Sequence, residues 1–317
     1  MARYIGIDIG GTKCAVTLGN EKAEVLSGVR FPTEGPDETV GRILEEAKRL
    51  AESSDEPVRA AGISCGSPLD PKRGIIESPP NLPGWDHIEI VRMTEEALGI
   101  PAVLCNDANA CALAEWKFGA GQGCSNMIFL TFGTGMGAGM ILDGRLYNGA
   151  NGNAGEVGHI RLERFGPVGY GKRGSFEGFA SGGGIAMNAK TAAIEVLQRG
   201  GKTGYCASWD ELDGVTAKSV AEAAYRGDET AIRVWRQAGE MLGRGLSILI
   251  DIVNPERIVI GSIFQRSADL LREPMERVLK EECLPFSLAV CEIVPAALGD
   301  DIGNRAALSL AIAADEH

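Results

Sequence analysis

Basic residues are scarce. The 317-residue chain sets 31 lysines and arginines against 43 aspartates and glutamates, a formal charge of −12 at neutral pH. That balance repels a phosphate backbone, and no local Lys/Arg cluster overturns it, so nucleic acid is not an expected partner. Long apolar runs are missing as well. The most apolar later stretch, LSILIDIVN at 246–254, is too short for a bilayer and contains Asp251. The first residues enter a strand pattern with no charged leader and no apolar signal segment. No CxxC pair occurs, and the eight cysteines (14, 65, 105, 111, 124, 206, 283 and 291) fall mostly within apolar runs. They read as reduced core thiols, because a disulfide scaffold is shorter and richer in cysteine. The expectation is a soluble, cytoplasmic protein with no membrane partner. Two familiar phosphate loops are also absent. There is no GxxxxGK[ST], and GTGMGAG at 133–139 runs into a strand where a dinucleotide fold needs a helix.

What is present is an α/β alternation. Short apolar runs ending in Gly, Ser, Asn or Asp (ARYIGID at 2–8, RAAGISCGS at 59–67, AVLCNDAN at 102–109, NMIFLTFG at 126–133, RIVIGSI at 257–263) read as strands. DETVGRILEEAKRLAESSD at 37–55 places Val40, Ile43, Leu44, Ala47 and Leu50 on one helical face. A long helix over 228–254 is stopped by Asn254-Pro255. The length exceeds one ordinary core, so two domains are expected, with the boundary near Gly119–Gly123, where FGAGQGCS breaks the pattern.

An internal repeat lies within this pattern. YIGIDIGGTKCAVTLGN at 4–20 overlays MIFLTFGTGMGAGMILD at 127–143, with Asp8 on Thr131, Gly10 on Gly133, Thr12 on Gly135 and Leu18 on Ile141. Both copies read strand, Gly/Thr-rich turn, strand, second turn, short strand. Glycine permits close backbone approach and positive φ, and runs of backbone N–H form anion-binding concavities. Two such turns, with Thr12, Thr134 and Lys13 adding donors, suit a polyphosphate. Asp8 is costly in an apolar strand unless something pairs with it, and Mg²⁺ beside phosphates is such a partner. The plainer reading is a pair of tight hairpins with Asp8 bonded to local backbone. Matching spacing in both copies favours the phosphate reading.

These motifs resemble the sugar-kinase/actin-like ATPase superfamily and, within it, the ROK family of repressors and kinases. GIDIGGTK at 6–13 resembles its first phosphate motif, LTFGTGMGAGMILDG at 130–144 its second, and NDANACALAEW at 106–116 its connecting segment. GNAGEVGH at 152–159 resembles the family signature, RIVIGSIF at 257–264 the adenosine-contacting strand and turn, and SPPNLPGW at 78–85 the sugar-covering loop of ROK glucokinases. The resemblance implies an α/β fold of two actin-like, ribonuclease H-like domains facing across a deep interdomain cleft. Residues 1–118 would form the sugar-side domain, completed by the terminal helix at about 301–317. Residues 119–300 would form the domain for ATP and dimerisation, and the assembly would be a homodimer or homotetramer.

The resemblance further implies ATP and Mg²⁺ as cofactors, with the γ-phosphoryl group passing to the 6-hydroxyl of glucose or a close relative. N-acetylmannosamine, N-acetylglucosamine and fructose are the alternative substrates. A sugar-responsive regulator is less expected, since those relatives carry an added N-terminal DNA-binding domain and here the first phosphate strand starts near residue 3. Asp107 closes a strand and opens a helix, where it suits a general base; alone, it would be read as a helix cap. As base it leaves capping to Asn109. Asn106, Glu156, His159 and Glu177 would bind sugar hydroxyls, with Gly66 and Asn81 on the covering side. Asp8, Gly10, Gly11, Thr12, Lys13, Gly133, Thr134, Gly135 and Gly261 would bind the nucleotide, Asp8 holding Mg²⁺ through water. One departure stands out. Many ROK proteins carry CxCGxxGCxE, whose cysteines join a histidine on zinc, whereas this chain has VGYGKRGSFE at 168–177. Val168, Tyr170 and Ser175 replace the cysteines, so no zinc is expected, and packing of Tyr170 and Phe176 should hold the loop.

Overall fold

The computed structural model describes residues 2–316. In chain order they form β1 (Arg3–Ile9), β2 (Lys13–Asn20), β3 (Val25–Pro32), α1 (Pro36–Glu52), β4 (Val58–Cys65), β5 (Leu69–Asp70), β6 (Ile75–Ile76), α2 (Ile90–Leu98), β7 (Ala102–Asn106) and α3 (Asp107–Phe118). Next come β8 (Met127–Phe132), β9 (Met136–Leu142), β10 (Arg145–Leu146), β11 (Val168–Gly169), β12 (Lys172–Arg173), α4 (Phe176–Ala180), α5 (Gly182–Gln198), α6 (Ala217–Tyr225) and α7 (Glu229–Val253). β13 (Arg257–Ile260), α8 (Ile263–Glu282), α9 (Pro285–Val290), β14 (Glu292–Pro295) and α10 (Ile302–Asp315) complete the order.

Two five-stranded sheets follow one plan, β3-β2-β1-β4-β7 and β10-β9-β8-β13-β14. In the first, β2 lies antiparallel to β1 and β3, while β4 lies parallel to β1 and β7. In the second, β9–β10 is antiparallel and β13–β14 parallel. The overlay of 4–20 on 127–143 therefore corresponds to equivalent strands of two sheets with the same order. The residues group into two compact units. One holds the chain up to Phe129, Gly139–Gly155 and Ala297 onward; the other holds Leu130–Ala138 and Glu156–Ala296. Each unit is thus assembled from separate stretches of the chain.

Local sequence explains the long elements. Pro36 starts α1 with a preset φ, Asp37 and Glu38 complement its dipole, and Val40, Ile43, Ala47 and Leu50 are buried as the periodicity requires. In the second unit, the Asp228 side chain caps α7 by accepting from the Ala231 N–H at 2.7 Å, and Asn254 ends it at φ 50°. All eight cysteines are free thiols, seven of them buried. Among the described residues no helix is long and apolar enough to cross a membrane.

In the first unit, Ile5, Ile7, Ile9 and Ile63 pack with the apolar face of α1, and the opposite face of the sheet carries α10. There the strands present glycine. A Cβ at Gly62 would lie 2.1 Å from the Ala307 carbonyl oxygen, and one at Gly6 would lie 3.0 Å from the Leu308 amide nitrogen. The segment before α10 is anchored by Glu115 of α3, which is fully buried. Its carboxylate accepts the N–H groups of Ala120 (2.7 Å), Ala297 (3.0 Å) and Leu298 (2.9 Å). A buried carboxylate is tolerated only with such satisfaction.

This packing predicts a contrast between two alanine substitutions, read by urea denaturation. Gly62→Ala drives a methyl group into the α10 backbone and should cost roughly 1–3 kcal/mol or more. Gly41→Ala, in the middle of α1 with nothing within 4 Å of its Cβ position, should stabilise by up to about 1 kcal/mol. Equal effects at the two sites would contradict the packing described.

Candidate active site

In the first unit the parallel strands β1, β4 and β7 end side by side, with Ile9 opposite Cys65 and Cys65 opposite Asn106. Carboxyl ends of parallel strands are the usual ligand edge of α/β folds. The chain leaves β1 through Gly10–Lys13, where the Gly10 N–H donates to the Lys13 carbonyl at 3.1 Å. Thr33, just beyond β3, braces this turn twice. Its hydroxyl donates to the Gly10 carbonyl at 2.6 Å and its N–H to the Thr12 carbonyl at 3.1 Å. Thr12 and Lys13 remain exposed. Asn81 lies against the turn: a Cβ at Gly11 would be 2.5 Å from its carbonyl oxygen, and one at Gly66 would be 3.5 Å from its side-chain amide. The structure thus brings Gly11, Gly66 and Asn81 together.

Two carboxylates flank this edge. Asp107 is exposed at the first position of α3, and its Oδ1 accepts the Ala108 N–H at 2.7 Å. Asp8 is pressed against α10, where a Cβ at Gly303 would lie 2.6 Å from its Oδ2. Burial, and next the negative charge of Asp107, push the Asp8 carboxyl up from 3.8 to about 6, against the opposing pull of Arg30 and Lys13. The thiols of Cys14, Cys65, Cys105 and Cys111 around this edge are raised above their ordinary range, chiefly by burial, and stay neutral.

The cap of α3 differs from the sequence expectation. Asn106, in extended conformation, is the N-cap: its Oδ1 accepts from Ala108 (2.9 Å) and Asn109 (3.4 Å), and its Nδ2 donates to Ser67 Oγ at 2.7 Å. Asn109 is already helical and buried, with its Nδ2 donating to Asn148 Oδ1 at 3.2 Å. A residue within the first helical turn cannot fold back on that turn's own N–H groups as an N-cap does, so the role passes to Asn106. A ligand at Asn106 would meet a side chain already oriented by the protein.

In the second unit, the Gly133 N–H donates to the Gly135 carbonyl at 3.2 Å. Gly182 and Gly183, at the start of α5, donate to the Gly133 (2.7 Å) and Thr134 (2.9 Å) carbonyls. Glu177 of α4 accepts the Met136 N–H through Oε2 at 2.9 Å, and a Cβ at Gly135 would be 2.8 Å from the same oxygen. Glu156 and His159 are exposed around the 3-10 turn Val157–His159. Gly261 is buried, donating to the Leu130 carbonyl at 3.0 Å, and Ser262 follows with a left-handed φ of 57°.

The 166–177 loop corrects a second expectation. Phe176 is fully buried against α7, where a Cβ at Gly245 would be 2.2 Å from its ring, so it fills volume as expected. Tyr170 does not. It sits at φ 42° in the β11–β12 turn, is 70% exposed, and pairs edge-to-face with the His159 ring at 5.7 Å between centroids. A left-handed backbone at a hairpin tip turns the side chain outward. Hydrogen bonds hold the loop instead: Gly174 to the Pro167 carbonyl (2.8 Å), Leu162 to the Gly174 carbonyl (2.9 Å) and Phe176 to the Ile160 carbonyl (2.8 Å). Among the described residues no three His, Cys, Asp or Glu side chains gather as a metal cage. With one imidazole and no thiolate, the loop residues do not fit a tetrahedral zinc ion.

Sequence reasoning missed Thr33, Ser67, Glu115 and Ser262. Only Ser262 left a signal, in the SIFQ capping box before α8, in which the Ser262 N–H donates to Gln265 Oε1 at 3.0 Å.

The model of the ROK family matches residues 4–314. A glucokinase from Thermotoga maritima is 31% identical over 316 residues, covering 97% of this chain and 96% of the relative. The crystal structure of a ROK family glucokinase from Streptomyces griseus in complex with glucose and AMPPNP is 32% identical with a TM-score of 0.76, covering 98% and 99% of the two chains. A xylose repressor from Caldicellulosiruptor bescii is 30% identical over 284 residues, covering 87% of this chain and 70% of that protein.

The position of Asp8 generates a pH prediction. Its folded carboxyl titrates near 6 against 3.8 as the ordinary value, so the folded state binds the proton more tightly. Stability from this group is therefore lost as pH rises from about 4 through 6. Asp8→Asn escapes that loss. Melting temperatures should coincide below about pH 4 and diverge above it, with the variant more stable by on the order of 2–3 kcal/mol by pH 8. A difference constant with pH would contradict the burial and charge argument.

Proposed function

Since the chain belongs to the ROK family and has its actin-like two-domain fold, we propose that it is an ATP-dependent sugar kinase transferring the γ-phosphoryl group to the 6-hydroxyl of glucose or a close relative. The observation that carries this reading is the edge of the first unit, where an exposed carboxylate at a helix start stands near a braced, glycine-lined turn and a proton-hungry buried carboxylate. The glucokinase relatives and the glucose- and AMPPNP-bound structure support the substrate pair.

In this reading Asp107 is the general base. It accepts the proton of the sugar 6-hydroxyl as that oxygen attacks the γ-phosphorus; the new O–P bond forms, the bond to the β-phosphate oxygen breaks, and ADP leaves. Asn106, Glu156, His159 and Glu177 orient the ring hydroxyls, with Asn81 and Gly66 on the covering side. Gly10, Gly11, Thr12, Lys13, Gly133, Thr134, Gly135 and Gly261 contact the nucleotide. Asp8 fits a hydrated Mg²⁺: its carboxyl is raised by burial and by Asp107, and nearby positive charge would relieve both. Bound there, Mg²⁺ would neutralise phosphate charge. A cytoplasmic location and a homodimeric or homotetrameric assembly belong to the same reading, the latter read by analytical ultracentrifugation.

A coupled ADP-release assay with glucose, mannose, fructose, N-acetylglucosamine and N-acetylmannosamine tests the proposal. Glucose should turn over fastest, and ADP release without any sugar should be slow. Asp107→Asn should reduce turnover at least about 10²-fold with sugar affinity, by calorimetry, within a few-fold of wild type. Full turnover in that variant, or no turnover of any sugar by the wild type, would sink the reading.

A further inference from the structure

Glu177 makes a contact that sugar binding alone does not call for. It stands on α4, held by Ser175, whose Oγ accepts the Gly178 N–H at 3.2 Å, and by the fully buried ring of Phe176. From this fixed base Oε2 reaches the backbone of the second glycine-rich turn and accepts the Met136 N–H at 2.9 Å. The surroundings are shaped to admit it. Gly135 has no Cβ where one would lie 2.8 Å from Oε2. Gly158 has none where one would lie 2.3 Å from the Met136 carbonyl and 3.2 Å from the Glu177 Cβ. A side chain at either glycine would displace the carboxylate or the turn.

We propose that Glu177 is a positioning residue for the Gly133–Gly135 turn, so that one carboxylate serves both the nucleotide turn and the sugar. The proposal rests on the kinase reading for its two ligands and deepens it. Oε2 holds the turn through Met136, which leaves Oε1 for a sugar hydroxyl. A sugar donating to Oε1 fixes the carboxylate rotamer and with it the turn; a nucleotide seated on the turn fixes the carboxylate in return. Such coupling is reciprocal by thermodynamic necessity.

The test measures binding, with AMP-PNP and Mg²⁺ titrated calorimetrically in the absence of sugar. Glu177→Gln keeps an oxygen acceptor for the Met136 N–H and should bind within about twofold of wild type. Glu177→Ala removes the acceptor and should bind roughly five- to tenfold more weakly, the scale of one lost hydrogen bond. A sugar ligand with no further role would leave sugar-free nucleotide affinity unchanged in both variants, and that result overturns the proposal. Equal weakening in both variants contradicts the hydrogen-bond assignment. Gly135→Ala supplies a second arm if Glu177→Ala fails to fold. Its methyl group crowds Oε2, so glucose affinity without nucleotide should fall several-fold, and unchanged affinity overturns the proposal. A wild type that binds AMP-PNP and no sugar would refute the kinase reading, while the two Glu177 variants still decide this one.

Discussion

The first unit depends on how closely α10 approaches the sheet. Gly6, Gly19 and Gly62 present no side chain where a Cβ on β1, β2 or β4 would strike the helix, and the Ala307 carbonyl and Leu308 side chain occupy the space. Glu115 secures the segment before the helix by taking three backbone N–H groups into a fully buried carboxylate. The consequence reaches the ligand edge through Gly303, which presses on Asp8. Stripped of water there, and with Asp107 nearby, Asp8 gains proton affinity. A fold-level constraint thus sets the electrostatics of one side chain.

The two glycine-rich turns are built alike and braced differently. The first is held from the same sheet by Thr33, which takes two carbonyls of the turn at once. The second is held from helices, with Gly182 and Gly183 of α5 on its carbonyls and Glu177 of α4 on the Met136 N–H. Each bracing consumes backbone groups on one side of a turn. In the kinase reading, turns pre-set in this way would bind phosphate charge without reorganising, which is where much of the catalytic advantage in phosphoryl transfer resides.

Much of this was legible in the residues. Periodicity located α1 and α7, and a repeat visible in 17 residues falls on equivalent strand pairs of two sheets that share one strand order. The resemblance set Gly66 and Asn81 on the covering side and Gly11 with the nucleotide; in the fold, Asn81 lies against both glycines. The misses have physical causes. Asn106 and Asn109 are chemically identical, and only the backbone conformation decides which one caps α3. Tyr170 and Phe176 are both aromatic, and a left-handed φ sends one into solvent. Thr33 and Glu115 act through long-range contacts to backbone atoms, which carry no residue identity and leave no mark in a pattern.

The decisive interaction is the one between Asp8 and Asp107, at the ends of β1 and β7. It is tested most directly by a carbon-13 NMR titration of the Asp8 carboxyl, in the wild type and in Asp107→Asn. The midpoint should lie near 6 in the wild type and lower, though still above 3.8, when the neighbouring charge is gone and only burial remains. A wild-type midpoint at the ordinary carboxylate value, or one unmoved by the substitution, would contradict it.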